Sequence, residues 1–153
     1  MFFRTLEDET FMRDALELAK TASAFGEVPV GAIVVKDGCI IGRGYNQVEM
    51  LHSPLAHAEI IAIEDACHTI NNWRLTGCSL YVTLEPCPMC AGAILNARIQ
   101  RLIYGASDPK GGCCGSLINL YALDFNHHPT ITTNILENDC LSLLEDFFQK
   151  LRM

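Results

Sequence analysis

Two short motifs that lie well apart in the sequence constrain the fold of this chain more than any other feature. The first is His57-Ala58-Glu59 and the second is Pro86-Cys87-Pro88-Met89-Cys90. One imidazole and two thiolates suit a borderline-soft metal ion such as zinc, and three protein ligands leave one tetrahedral position open. Any fold that uses these ligands must bring the two motifs together around one ion.

The spacing within each motif is typical of a helix start. Two intervening residues let one helical turn present Cys87 and Cys90 to the same ion, and Pro86 is well placed to begin that helix. Backbone N–H groups at a helix N-terminus favour the thiolate form of cysteine. If His57 opens a second helix, the Glu59 carboxylate can point toward a metal-bound water without replacing it. Glu59 is therefore the predicted proton shuttle.

Each motif alone is a weak signal. A lone C-x-x-C can be a redox pair or part of a structural zinc site, and His-x-Glu is common by chance. The ordered combination of H-x-E with P-C-x-x-C is, however, the signature of zinc-dependent deaminases. The sequence therefore favours a catalytic zinc site, with a structural zinc site and a redox pair as the alternatives.

Composition indicates one globular unit that does not bind polyanions indiscriminately. The chain has 153 residues, 50% of them hydrophobic, and no segment has the apolar length of a membrane span. A net charge of −7 restricts any nucleic-acid contact to a local patch. At this length we expect a single domain over 1–153. The N-terminus turns acidic where a secretory signal would be apolar, so we expect the protein in the cytoplasm. The cysteines outside the second motif are expected to be buried thiols.

Hydrophobic periodicity predicts a hairpin followed by alternating helices and strands. The predicted helices cover 10–25, 57–68, 87–97 and 138–151, and the predicted strands cover 28–35, 39–45, 79–84, 101–104 and 130–135. Gly26 is predicted to end the first helix and Gly105 to end the fourth strand. This order of elements gives an α/β fold in which helices cover both faces of a mixed sheet with an antiparallel N-terminal hairpin.

In this context the chain resembles the cytidine deaminase-like superfamily and, within it, the bacterial tRNA adenosine deaminases. The likeness runs almost end to end, and beyond the metal ligands it includes Glu27-Val28-Pro29-Val30-Gly31-Ala32, Gly44-Tyr45-Asn46, Ala56-His57-Ala58-Glu59-Ile60, Leu80-Tyr81-Val82-Thr83-Leu84-Glu85-Pro86-Cys87, Met89-Cys90-Ala91-Gly92-Ala93 and Tyr104-Gly105-Ala106. The resemblance implies a three-layer α/β/α cytidine deaminase-like fold with a five-stranded sheet. It also implies one zinc ion per subunit, held by His57, Cys87 and Cys90.

The activity implied by the resemblance is hydrolytic deamination of adenosine to inosine at the wobble position of a tRNA anticodon. A zinc-activated hydroxide attacks C6 of adenine, while Glu59 takes the water proton, protonates N1 and later delivers a proton to the departing ammonia. An anticodon loop already presents unstacked bases, so extrusion of the adenosine into a pocket costs less there than in a duplex. A homodimer in which both subunits contact the RNA is implied as well.

The same resemblance assigns four residues to the substrate pocket. Asn46 and Asn126 are expected to bind the purine or its ribose through their amides, and Val30 and Leu84 are expected to form apolar walls. Each has an ordinary structural alternative, because Asn46 can be a turn residue at a strand end and Asn126 a loop residue. Val30 and Leu84 are equally plausible as core residues of their strands.

Three charged residues are assigned to the anticodon stem-loop. Asp108 is expected to contact a sugar near the flipped nucleotide and Lys110 a phosphate, while Arg152 at the end of the last helix is expected to reach the RNA stem. The alternatives are an exposed charged turn and an ordinary solvated helix end. The glycines of the 105–115 stretch indicate a flexible substrate loop.

Two other functions compete with this interpretation. A deaminase of a free base, such as a guanine deaminase, shares His-Ala-Glu and the Pro-Cys-Pro-Met-Cys run. Cys113-Cys114 also replaces the small residues usual in this loop. If either thiol filled the fourth zinc position, the metal would be structural and the chain would be a zinc-bound interaction module without turnover.

Overall fold

Alternating side chains on the central strands build a sheet that is covered on both faces. The computed structural model describes residues 2–153, with side chains described from residue 4 onward. Its elements are α1 (Phe2–Ala24), β1 (Gly31–Lys36), β2 (Cys39–Tyr45), α2 (Val48–Leu51), α3 (Ala58–Ile70), β3 (Ser79–Leu84), α4 (Pro88–Asn96), β4 (Arg101–Ala106), a 3₁₀ turn (Leu120–Ala122), β5 (Thr130–Thr132) and α5 (Glu137–Leu151).

The sheet has five strands in the order β2-β1-β3-β4-β5. β1 runs antiparallel to both β2 and β3, whereas β3, β4 and β5 are mutually parallel. Leu84 at the end of β3 pairs with Ala106 at the end of β4. The segment that follows β3, which carries the second motif, therefore starts beside the segment that follows β4.

Two apolar cores confirm the predicted three-layer arrangement. Even-numbered residues of the central strands pack with α3 and α4, among them Ala32, Val34, Leu80, Val82, Leu102 and Tyr104. Odd-numbered residues of the same strands pack with α1 and α5, among them Ile33, Val35, Tyr81 and Ile103. This separation follows from the period of two along a strand. No helix in residues 2–153 is both long and apolar enough to span a membrane.

The structure confirms the hairpin and the sequence bounds of β2 and β3, and it corrects several other bounds. α1 begins at Phe2 and not near residue 10. Residues 4–7 are exposed, so this part of the helix has no buried apolar face that hydrophobic periodicity could detect. The short helix α2 and the 3₁₀ turn were not predicted, and β5 is shorter than predicted. The cysteines are free thiols as expected, but Cys39 at the start of β2 is exposed and Cys67 is only half-buried.

Gly105 does not end β4, since the strand continues to Ala106. A Cβ atom at Gly105 would collide with the Cys140 sulfur of α5. The glycine therefore permits close packing of α5 against β4, and it does not act as a strand terminator.

Close backbone packing also fixes α3 on the sheet. Cβ atoms added at Gly42 and Gly44 of β2 would collide with the backbone of Ala62 and Ala58 in α3. Because neither glycine has a side chain, the helix lies directly against the strand. The start of α3, where the first motif lies, is thereby held at a fixed height above the sheet.

A buried ion pair ties α1 to the far end of the sheet. Arg101 donates two hydrogen bonds to the Asp8 carboxylate, of 2.7 and 2.5 Å, and the Tyr81 hydroxyl donates a third of 2.7 Å. Asp8 is 2% exposed and Arg101 is 8% exposed. Removing one partner of such a pair leaves an uncompensated buried charge.

We expect Asp8→Ala to lower the free energy of unfolding by about 3–5 kcal/mol, because Arg101 would stay buried without its counter-ion. Urea unfolding of the zinc-loaded protein measures the change. Asp14→Ala is the matched control, since Asp14 is an exposed carboxylate on the same helix. Equal losses in the two variants would contradict the assigned role of the ion pair.

Candidate active site

The two motifs meet because each lies at a helix start. His57 is the N-cap residue of α3 and Cys87 is the N-cap residue of α4, and neither uses its side chain as a cap. Cys90 follows in the first turn of α4. The first residue of that helix is Pro88 and not Pro86, which suits a position whose N–H has no partner within the helix. Both caps therefore leave their side chains available as ligands.

The three side chains form a group that can hold a metal ion. The Nδ1 atom of His57 lies 3.6 Å from the Cys87 sulfur and 3.5 Å from the Cys90 sulfur. The ligand atoms all lie within 4.8 Å of one another. Zinc–nitrogen and zinc–sulfur bonds of ordinary length at a tetrahedral angle give a nitrogen–sulfur separation of about 3.6 Å. The donor set and its spacing both fit zinc.

Hydrogen bonding within the group favours a thiolate at Cys87. The hydrogen bond from the Cys90 thiol lowers the pKa of Cys87 to about 4. The Cys87 sulfur in turn raises the pKa of His57 through its hydrogen bond to the ring. The backbone N–H groups at the start of α4 act in the same direction on the thiolate.

Glu59 lies in the first turn of α3, beside the metal-binding group but outside it. It is 4% exposed, and this burial raises the pKa of its carboxyl to about 7. A carboxyl that titrates near neutral pH can accept and return a proton under the conditions of the cell. The role of Glu59 as a proton shuttle stays a prediction.

One cavity of about 570 Å³ contains most of the predicted pocket residues. Val30, Asn46, Leu84 and Asp108 line it, and so do His57, Glu59 and Cys87. Cavities of this size hold small ligands, and apolar walls with a few polar groups are usual in them. The rest of the lining was not predicted. It comes from the segment after α1, from α2, from the residue after β3 and from α5, and consists of Gly26, Glu27, Val28, Val48, Glu49, Glu85, Phe147 and Leu151.

Asn46 has a structural contact in addition to its place in the cavity. Its side-chain oxygen accepts a hydrogen bond of 2.9 Å from the backbone N–H of Ala58, the first residue of α3. This bond supplies the cap that the His57 side chain does not provide. Asn46 therefore lines the cavity and also holds the start of α3.

A second depression of about 860 Å³ adjoins the first and shares Val28, Leu84, Asp108 and Leu151 with it. Its rim carries Lys110 and Arg152. The structure therefore brings these two predicted phosphate contacts to the same groove, next to the cavity that holds Glu59.

Asn126 lies elsewhere. It lines a separate depression together with Gly92, Arg98 and Phe125, and it is not part of the cavity lining. Within one chain, the structure does not bring Asn126 together with Asn46 and Glu59.

The segment that follows β4 is tightly bonded, contrary to the flexible loop that its glycines indicated. Glu85, directly after β3, accepts hydrogen bonds from the backbone N–H groups of Asp108, Cys114 and Ser116, each 3.0 Å long. The Ser116 hydroxyl donates a further bond to the same carboxylate. Burial by itself raises the pKa of Glu85, but these hydrogen bonds outweigh it and hold the pKa below its usual value.

Cys113 and Cys114 are buried, and neither belongs to the metal-binding group. The Cys113 thiol faces the carbonyl oxygen of Gly111 at 3.7 Å, and the N–H of Cys114 bonds to Glu85. Within the described residues the two thiols therefore have packing positions. In residues 2–153, neither thiol joins His57, Cys87 and Cys90 as a fourth ligand.

Sequence reasoning gave no role to Glu27 and Glu85, although both lie in the segments that carry the resemblance. The Glu27 carboxylate is 3% exposed and accepts hydrogen bonds from the N–H groups of Glu49, at 3.1 Å, and Met50, at 2.7 Å. It therefore holds α2 at the edge of the cavity. A charged residue next to an apolar strand was the available signal, and it was ambiguous because such residues usually face solvent.

Comparison with known proteins places this site among deaminases. The sequence profile of the family described as MafB19-like deaminase matches residues 6–152. The tRNA-specific adenosine deaminase of Bacillus subtilis is 47% identical over 147 residues, which are 95% of this chain and 91% of the relative.

Two solved structures resemble the fold. One comes from a study of A-to-I editing by tRNA:A34 deaminases at the wobble position of transfer RNA. It is 45% identical, with a TM-score of 0.85, and the match covers 88% of this chain and 99% of the other. The other, guanine deaminase from Bacillus subtilis, is 44% identical with a TM-score of 0.62, but the match covers only 65% of this chain and 64% of the other.

We expect Asn46→Ala to lower the free energy of unfolding by about 1 kcal/mol, because the N–H of Ala58 would lose its cap. Asn46→Asp keeps an acceptor oxygen at the same place and is the matched variant. Urea unfolding of both variants separates the cap from other effects of the position. A loss of stability in Asn46→Asp as large as in Asn46→Ala would contradict the assignment of the Asn46 oxygen as the cap of α3.

Proposed function

We propose that this chain, which belongs to the family of tRNA-specific adenosine deaminases, hydrolyses adenosine to inosine at the wobble position of a tRNA anticodon. The observation that carries the proposal is the meeting of His57, Cys87, Cys90 and buried Glu59 at one cavity, in a chain that matches such a deaminase over 95% of its length. The proposed compartment is the cytoplasm, where tRNA is used.

Zinc is the metal that we assign to the group, at one ion per chain, with His57, Cys87 and Cys90 as its ligands. The fit rests on one imidazole and two thiols whose separations match tetrahedral zinc. When bound, zinc supplies the Lewis-acid chemistry that makes water a nucleophile near neutral pH.

The chain's own residues supply proton transfer and orientation. Glu59 lines the cavity from the first turn of α3, where it can take a proton from the attacking water and place it on N1 of the adenine. It can then take the second proton from the hydroxyl group on C6 and pass it to the amino group, which leaves as ammonia while the C6 carbonyl forms. The Asn46 amide donates a hydrogen bond to the purine or ribose. Val30 and Leu84 exclude water from the sides of the base.

The groove beside the cavity is the proposed path of the RNA. Lys110 and Arg152 lie on its rim and can neutralise phosphates, while Asp108 lies where the groove and the cavity join. These two cations share the groove with Asp108 and Glu145, so phosphate contacts in this chain of net charge −7 are local ones made by Lys110 and Arg152. The anticodon stem-loop needs to reach only this part of the surface.

A homodimer is the proposed assembly. Large apolar side chains are exposed between residues 117 and 125, at Leu117, Ile118, Leu123 and Phe125. Exposed apolar residues concentrated in one segment are typical of a protein–protein contact. Asn126 follows this segment directly, so its proposed contact with the substrate depends on the assembled protein and not on the single-chain cavity.

Deamination of a free base is the alternative function, since a guanine deaminase shares part of the fold. The cavity geometry does not separate the two activities, because both need a zinc site and a proton shuttle. Lys110 and Arg152 line the adjoining groove beside Asp108 and Glu145, and these two cations can bind the phosphates of an RNA, which a free base lacks. The tRNA:A34 deaminase structure also has a higher TM-score than the guanine deaminase structure, 0.85 against 0.62, which supports the same choice.

We expect Glu59→Gln to retain one zinc ion per chain and to lose roughly 10²–10⁴-fold or more in turnover, because the amide cannot carry the proton. Inosine formation measures turnover, and elemental analysis measures zinc.

His57→Ala is the contrasting variant, and it should lose both zinc and turnover. Cys114→Ser should keep zinc, since its sulfur lies outside the ligand group. Full activity in Glu59→Gln would refute the assigned proton shuttle, and loss of zinc in Cys114→Ser would refute the three-ligand site.

The substrate is tested with an anticodon stem-loop that carries adenosine at the wobble position, with guanine, adenosine and cytidine as free substrates in parallel. We expect inosine in the RNA and no ammonia from the free compounds, because only the RNA engages the basic groove. Turnover of free guanine without conversion of the RNA would establish the alternative function.

A further inference from the structure

We propose that Glu85 is a positioning residue for the deamination, which clasps residues 107–116 (the clasped segment) so that Asp108 and Lys110 face the RNA. The inference rests on the proposed function, because it requires that RNA binds in the groove that Lys110 and Arg152 line. Glu85 itself does not contact the substrate. Its effect is transmitted by the backbone of the clasped segment.

The Glu85 carboxylate bonds to both ends of the clasped segment. One oxygen accepts from the N–H of Asp108, at 3.0 Å, and from the Ser116 hydroxyl. The other accepts from the N–H groups of Cys114 and Ser116, each at 3.0 Å. A single side chain thus fixes the distance between the start and the end of the segment.

These bonds leave Glu85 no capacity to bind a ligand. An ionised carboxylate offers about four lone-pair sites, and all four are occupied here. The residue is also only 2% exposed. Although Glu85 contributes to the wall of the cavity, it therefore acts on a substrate only through the residues that it holds.

The clasp reaches Lys110 through Asp108. The Asp108 carboxylate accepts hydrogen bonds from the N–H groups of Lys110, at 3.1 Å, and Gly111, at 3.2 Å. The Asp108 carbonyl oxygen also accepts the N–H of Gly112 at 2.8 Å. Because Asp108 is anchored to Glu85, the turn that presents Lys110 to the groove is anchored as well.

Space around Glu85 is limited to this arrangement. A Cβ atom at Gly112 would collide with the Glu85 carboxyl group. The N–H of Cys113 bonds to the Pro86 carbonyl oxygen at 2.9 Å, immediately after Glu85 in the chain. The clasped segment therefore lies against the strand end that leads into Cys87, and its conformation is tied to that of the metal-binding motif.

Glu85→Gln tests the inference. A glutamine keeps one acceptor oxygen, but its NH2 group would face N–H or O–H donors that now bond to the second carboxylate oxygen. With the stem-loop substrate, we expect KM to rise roughly tenfold or more while kcat changes less than about threefold. Zinc content should equal that of the wild type. In the background of Glu85→Gln, Asp108→Asn should have little further effect on KM, because the clasp no longer places Asp108.

Two further variants keep the test decisive. Ser116→Ala removes one of the four bonds from an exposed position and should raise KM less than Glu85→Gln does. Asp8→Asn removes the charge of another buried carboxylate and so weakens its ion pair with Arg101. It should lower the melting temperature without raising KM. If Glu85→Gln does not fold, Ser116→Ala alone decides, and an unchanged KM overturns the inference.

The inference and the proposed function fail in different ways. If the wild-type protein does not convert the stem-loop, the proposed function fails. If the wild type is active but Glu85→Gln has an unchanged KM, the clasp has no role in RNA placement. Fully additive effects of Glu85→Gln and Asp108→Asn would also overturn it, because they would show that Asp108 is placed independently.

Discussion

Two helix starts meet at one point above the sheet, and the rest of the site depends on their meeting. His57 is the N-cap residue of α3 and Cys87 is that of α4, so two of the three metal ligands occupy positions that normally carry capping side chains. The meeting requires α3 to lie directly on β2, which the glycines of that strand allow. It also requires β3 to end where it does, because the chain passes from its last residue into the second motif within three positions.

Buried carboxylates connect distant segments of this acidic protein through hydrogen bonds and an ion pair. Asp8, Glu27, Glu59 and Glu85 are each less than 5% exposed. Asp8 is neutralised by Arg101, whereas Glu27 and Glu85 are stabilised by backbone N–H groups. Such groups are costly to bury unless they are bonded, and here the bonds fix the cavity rim on two sides. The net charge of the chain is therefore a poor guide to the charge that an RNA meets at the groove.

Much of the fold and the metal site could be predicted from sequence, because the signals were local. Short apolar runs predicted the strands of the sheet, and ligand spacing predicted the metal-binding group. The missed features depend on contacts between distant segments. Nothing near Gly105 indicates that Cys140 packs on it, and nothing near residues 111–115 shows that Glu85 holds that segment still. The position of Asn126 outside the cavity likewise depends on how the chain after β4 returns to the sheet.

The double engagement of Asn46 limits how this site can diverge. Its side-chain oxygen holds the first N–H of α3, and the same residue lines the cavity. A substitution selected for a different base would also loosen the helix that carries His57 and Glu59, so recognition and scaffold cannot be tuned separately there. Val30 and Leu84 reach the same cavity as apolar wall residues. Changes in substrate preference are therefore more accessible through the walls of the pocket than through its amide, both to natural drift and to directed evolution.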